Sequence, residues 1–167
     1  MTDFEAILRA LSEHGVDYVV IGGAAMQIRG SAHVTFDLDL AYARSDDNLK
    51  RLADALAPFT PRLRVAGERA DLPFKFDAST LKAGSNFTLS TTAGDLDLLG
   101  FVTGLGGYRD VLAAANTVAL FGQAINVLSI TGLIAAKRAA GRKKDLAALP
   151  ELEALLDASS EDDSGGH

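Results

Sequence analysis

The chain has 167 residues, 48% of them apolar and 23% charged, with no cysteine and three scattered histidines, His14, His33 and His167. This composition is that of one soluble globular domain; it excludes disulfide frameworks, thiolate metal sites and cysteine nucleophiles, and it leaves oxygen as the ligand for any metal. The formal charge of −6 sits at the end: residues 151–167 hold six acids (Glu151, Glu153, Asp157, Glu161, Asp162, Asp163) and neither Lys nor Arg, so the rest balances 16 acids against 16 bases. No window approaches the roughly 18 uninterrupted apolar residues of a membrane span, and Met1-Thr2-Asp3-Phe4-Glu5 lacks the basic start of a secretion signal. The expectation is a cytoplasmic protein without a membrane partner.

In chain order, Phe4, Ile7, Leu8 and Leu11 recur at helical spacing, with Thr2 or Asp3 as a cap and Gly15 as a stop. Residues 17–21 form an apolar, β-branched run that predicts a buried strand, and Gly22-Gly23 then turn the chain into a short helix over 24–30. A second strand is expected at 37–43. Asp46-Asp47-Asn48 opens a helix through Leu49, Leu52, Ala53 and Leu56, ended by Pro58. Between 61 and 101 the text breaks into extended pieces at 62–66, 74–76, 86–91 and 95–101, the last preceded by a turn at Thr92-Ala93-Gly94-Asp95.

Residues 108–115 read as a helix, and 118–121 with 124–128 as a hairpin closed near Gly122-Gln123. Ser129 or Thr131 caps a helix that reaches Ala140, where Gly141 interrupts it; 142–156 continues by leucines, with Pro150 breaking it or opening a new turn. The fold class is therefore α/β (α+β): a small mixed sheet flanked by helices in a single domain over 1–156, with a short helical carboxyl part over 129–156. From Ser159 onward no side chain is apolar, and residues 157–167 are expected to be a disordered acidic tail.

Chemistry concentrates in two stretches. In Phe36-Asp37-Leu38-Asp39-Leu40 the period is two, so a strand puts Asp37 and Asp39 on one face and the apolar residues on the other. Two carboxylates on one face attract a hard divalent cation. Asp95 and Asp97 repeat the pattern beside Leu96 and Leu98; Asp95 follows Gly94 and reads as a turn residue, which leaves Asp97 as the stronger ligand candidate. The Gly22-Gly23 turn can present backbone N–H groups to a phosphate, although glycine there also serves a plain turn. Arg29 and Lys137 are candidate phosphate cations. Lys137, with Arg138, Arg142, Lys143 and Lys144, forms the chain's local basic cluster, whose plainer use is to face the carbonyl end of a helix.

Taken together, Gly22-Gly23, Arg29-Gly30, Thr35-x-Asp37-x-Asp39 and the strand acid Asp97 resemble the nucleotidyltransferase superfamily of DNA polymerase beta. Within it the chain is most similar to the minimal bacterial members related to abortive-infection toxins of toxin-antitoxin systems; Lys137 and Lys144-Asp145 match their late Lys and Lys-Asp pair. The resemblance spans roughly residues 16–150 and implies the nucleotidyltransferase fold, with Mg2+ or Mn2+ and a nucleoside triphosphate such as ATP as substrate. It implies that Asp37, Asp39 and Asp97 are the metal-holding catalytic acids, and that Gly22, Gly23, Arg29 and Lys137 bind the nucleotide. The acceptor is open (RNA such as a tRNA end, a protein or a small molecule), and an antitoxin protein is an implied partner. Where the related toxins often carry a second Arg, this chain has His33.

Other chemistries use the same acids. A haloacid-dehalogenase-type phosphatase wants a hydroxyl or β-branched residue where Ala41 stands, a sugar-nucleotide glycosyltransferase is usually longer, and a metal nuclease wants a Lys soon after its acids, whereas none follows before Lys50. From a different class comes a non-catalytic module of the same fold that binds a nucleotide or a protein.

Overall fold

The computed structural model describes residues 2–65, 68–69 and 73–164. Helix α1 (Phe4–Glu13) is capped by Asp3, whose side chain accepts from the Ala6 N–H, and buries Ile7, Leu8 and Leu11. Strand β1 (Tyr18–Ile21) runs straight into α2 (Gly22–Ile28), two residues earlier than the sequence predicts. Gly22 takes a φ of +62°, which lets the chain turn without a linker. Strand β2 (Asp37–Tyr42) and α3 (Asp46–Leu56) follow, the latter capped by Ser45 rather than by its own acids, with a 3-10 turn at Ala57–Phe59 carrying Pro58.

Two features of the middle third differ from expectation. Residues 74–76, read as a strand, have no regular structure; their rings pack on each other with centroids 6.3 Å apart and lead into α4 (Ala78–Ala83), which the sequence reading passed over. That helix buries a single residue, Leu81, so no apolar period announces it. Its Asp77 cap, accepting from Thr80 N–H at 2.8 Å, is a strictly local signal. Strands β3 (Arg62–Val65), β4 (Glu68–Arg69), β5 (Asn86–Thr91) and β6 (Gly94–Leu99) complete this part; Ala66, in the predicted strand 62–66, lies outside the described residues.

Helix α5 (Tyr108–Ala113) leads to the hairpin β7 (Ala115–Leu120) and β8 (Gln123–Leu128), then α6 (Ile130–Ala140) under a Ser129 cap, α7 (Lys143–Ala147) and α8 (Leu149–Ser164). Pro150 falls in the first turn of α8, where its missing N–H costs nothing. The helix continues to Ser164 through residues expected to be a disordered tail. Leu152 anchors it fully buried, and neither Gly nor Pro stands between Pro150 and Gly165 to stop it. No helix among the described residues is long and apolar enough to cross a membrane.

Among the described residues the strands order as β4-β3-β5-β6-β2-β1-β8-β7, with β2/β6 and β1/β8 parallel and the other neighbours antiparallel. Val20, Leu38, Leu40, Leu96 and Leu98 are fully buried in one apolar cluster that includes α1 and α3. The opposite parity of β2 and β6 carries the acids. Asn48, fully buried on α3, ties the sheet to this helical layer: its Oδ1 accepts from Asp17 N–H at 2.8 Å and its Nδ2 donates to the carbonyls of Asp17 and Ala43. All its polar atoms are thereby satisfied, as burial of an amide demands.

Candidate active site

Parallel pairing of β2 with β6 sets the site. The register places Asp37 beside Asp95 and Asp39 beside Asp97, so four carboxylates form a two-by-two block on one face of adjacent strands. Asp97, about sixty positions from Asp39 in the chain, is thus its lateral neighbour. Asp95, read from sequence as a turn residue, lies within β6 and belongs to the same row.

The Gly22 turn closes over Asp39. A Cβ on Gly22 would lie 2.2 Å from Asp39 Oδ2, and one on Gly23 would lie 2.8 Å from the Cβ of Thr35. Thr35 in turn donates from Oγ1 to the carbonyl of Asp37 at 3.1 Å. Both glycines are therefore required by close approach, and the loop before β2 is stitched to the turn before α2. Asp39 pays for this position. Its Oδ1 is buried without a hydrogen-bond partner, and burial, then the neighbouring Asp97 and Asp37, push its carboxyl up to about 7. Burial raises the Asp97 carboxyl as well, against the pull of Arg64.

Arg64, on β3, reaches across β5 into the block. Its side chain is only 8% exposed, and its Nη2 lies 3.0 Å from Asp97 Oδ1 and 3.9 Å from Asp37 Oδ2, while Nη1 is 3.4 Å from Asp95 Oδ1. The sequence reading missed it. The alternation Arg62-Leu63-Arg64-Val65 marks both arginines as sharing a face, but only strand order reveals that this face holds the acids.

A cavity of about 220 Å³ opens beside Asp39, lined by Gly22, Val102, Lys137, Arg142 and Asp145 among others. Lys137 draws the Asp39 carboxyl back down. Its Nζ is 3.3 Å from Asp145 Oδ1, and Arg142 donates from Nε to Asp145 Oδ2 at 2.6 Å. Asp145 is 1% exposed; the Arg142 bond holds its carboxyl below the usual range. Arg29 goes elsewhere. It donates to the carbonyls of Leu128 (3.1 Å) and Val127 (2.8 Å) and to Asn116 Oδ1 (2.7 Å), fastening the end of α2 to β8 and β7. The expected phosphate cation is a structural clasp in this fold. His33 is exposed on the loop before β2.

The donor set suits a divalent ion in kind: hard oxygens, one of them buried without a hydrogen-bond partner, with Asp39 crowded enough that burial and its acidic neighbours push its carboxyl up. Among the described residues, however, no three acidic or histidine side chains are gathered closely enough to hold an ion by themselves. Oxygens from outside the protein, of water or of a triphosphate, would have to complete the shell.

The chain has the nucleotidyltransferase fold, helices packed over a mixed sheet, and two solved structures are similar to it in fold. A Thermotoga maritima protein provisionally named a nucleotidyltransferase is 15% identical over 93% of this chain and 89% of its own, with a TM-score of 0.51. ANT(2")-Ia, solved in complex with adenylyl-2"-tobramycin, is 14% identical over 92% of each chain, with a TM-score of 0.52. These likenesses establish the fold; no family model and no curated protein matches the chain.

Proposed function

We propose that this protein is a divalent-metal-dependent nucleotidyltransferase that moves a nucleoside monophosphate from a nucleoside triphosphate to a hydroxyl on a small acceptor, releasing pyrophosphate. The observation that carries the reading is the lateral pair Asp39 and Asp97 under the Gly22 turn, with one Asp39 oxygen buried and unpartnered. Asp37 and Asp39 would hold the ion that accompanies the triphosphate, and Asp97 would share a second. Bound Mg2+ or Mn2+ supplies charge neutralisation at the attacking and leaving oxygens.

The chain's own groups do the rest. Asp97 takes the proton from the acceptor hydroxyl as its oxygen forms the new bond to the α-phosphorus. The bond from that phosphorus to the bridging oxygen breaks, and its electron pair leaves with pyrophosphate. The Gly22-Gly23 amides face the β- and γ-phosphates, and Lys137 adds positive charge in the same cavity.

A small acceptor suits the charge better than RNA. Residues 1–150 are electrically balanced, and within the basic cluster Arg142 is paired with Asp145 and Arg138 with Glu153 at 2.8 Å. The adenylylated tobramycin bound by ANT(2")-Ia is a precedent for that acceptor class. A toxin role with an antitoxin partner rests on the family resemblance. One observation favours a non-catalytic nucleotide-binding module: Arg64 already neutralises part of the acid block.

The test is transfer of label. With magnesium, each α-labelled triphosphate in turn, and a panel of hydroxylated small molecules beside cell extract, a labelled acceptor forms, and Asp39→Ala abolishes it. Folded protein that transfers label from no triphosphate to any acceptor contradicts catalysis and leaves the binding module.

A further inference from the structure

Arg64 sits on the acid face without a part in the proposed transfer. It comes from β3, two strands away from β6, and its guanidinium is a fixed interior charge, with its side chain 8% exposed. Three carboxylates face it: Asp97 at 3.0 Å, Asp95 at 3.4 Å and Asp37 at 3.9 Å. Two of these three, Asp37 and Asp97, are the groups that the proposed function assigns to metal. Nη1 also donates to the carbonyl of Leu89 at 2.8 Å, a partner that does not depend on the acids.

A carboxylate oxygen that accepts a charge-assisted hydrogen bond from a guanidinium has its electron density turned toward that donor. A divalent ion approaching the same oxygen also meets a like charge a few ångströms off, in a partly desolvated site where repulsion is poorly screened. Both effects act on Asp97 Oδ1.

We propose that Arg64 is a resident cation that competes with the divalent ion for Asp97, so that loading the ion and releasing the guanidinium are a single exchange. The inference rests on the reading of Asp37, Asp39 and Asp97 as ion ligands. It gives the block two exclusive states: a metal-free state clamped by Arg64, and a loaded state in which the guanidinium lets go of Asp97 and keeps its bond to the Leu89 carbonyl. The clamp also explains why the acids can share one face of the sheet before any ion arrives: the guanidinium offsets part of their mutual repulsion.

Direct Mn2+ binding tests the exchange without nucleotide or turnover, by titrating the electron paramagnetic resonance signal of free Mn2+ against the full chain. Two variants separate charge from shape. Arg64→Met, without the charge, binds Mn2+ about tenfold tighter than the native chain, the scale expected when a unit charge leaves the neighbourhood of the donors. Arg64→Lys, which keeps the charge, stays near the native affinity. Equal or weaker binding by folded Arg64→Met overturns the exchange.

If Arg64→Met does not fold, the native chain answers: the Arg64 Nε–H resonance moves with Mg2+ saturation, and a resonance unmoved at saturation overturns the proposal. Asp39→Ala keeps the two readings apart. Mn2+ binding that is lost in Asp39→Ala yet equal in native chain and Arg64→Met leaves the ion site standing and removes the exchange. No Asp39-dependent binding in any variant removes the ion site, and the exchange with it.

Discussion

Asp39→Asn melts higher than the native protein at pH 8 in metal-free buffer, and it transfers nucleotide far more slowly. Both halves follow from where β2 puts this carboxyl. Burial and the flanking Asp97 and Asp37 raise it to about 7 in the folded chain, whereas an unfolded Asp titrates at about 3.9. The fold therefore favours the protonated form. The stability this contributes is complete below about pH 4 and is lost as pH rises through about 7, where the folded protein must ionise a buried acid beside two others.

Asn keeps the shape and carries no charge, so its melting temperature escapes this loss. At pH 8 the gap is on the order of a few kcal/mol, and it closes at pH 4. Transfer falls by roughly three orders of magnitude or more, the scale of losing a group that holds charge at the reacting centre. A destabilised Asp39→Asn that keeps its activity would make Asp39 an ordinary structural residue.

Gly22→Ala is the second large effect, and it loses far more activity than stability. The substitution meets two costs that can be separated. A side chain at φ +62° costs on the order of 1 kcal/mol in backbone strain alone. The added methyl would also lie 2.2 Å from Asp39 Oδ2, a distance no contact tolerates, so the turn or the carboxylate must shift.

Gly122→Ala is the control. Its φ is +75°, but nothing lies within 4 Å of the added carbon, so it carries the strain without the collision. Gly22→Ala is expected to lose about a hundredfold in transfer rate, the cost of displacing a reacting group by around an ångström, with a melting temperature only slightly below that of Gly122→Ala. Equal activity in the two variants would remove the turn from the site.

The outline of the site was legible because it was written in local periods. Alternation told the acids' face from the core face within β2, where Leu38 and Leu40 are buried; Phe36, read as part of the same face, precedes the strand and is exposed. Asp97 was singled out for the same reason, from Leu96 and Leu98 on either side, both of which are buried. What escaped the sequence depends on pairing between distant segments. Nothing near Asp95 says that Asp37 is its neighbour; the β2/β6 register does. Arg64 is ordinary in its own strand and becomes notable only because β5 and β6 stand between it and β2. Arg29 was misjudged in the same way: the carbonyls that claim it belong to β8, some hundred residues on.

The ends of elements followed backbone chemistry that short windows resolve poorly. Helix α2 starts on its glycines because Gly22 itself makes the turn. Helix α8 outlasts its apolar residues because nothing breaks it before Gly165. Helix α4 buries too little to register as a period.

The most direct measurement is a crystal grown with Mn2+ and a triphosphate analogue that cannot be cleaved at the α-phosphorus, read by anomalous scattering. The account predicts a manganese peak between Asp37 and Asp39, the phosphates against the Gly22-Gly23 turn, and Asp97 turned toward the metal. A nucleotide bound away from these acids, or one bound there with no metal between Asp37 and Asp39, would contradict it.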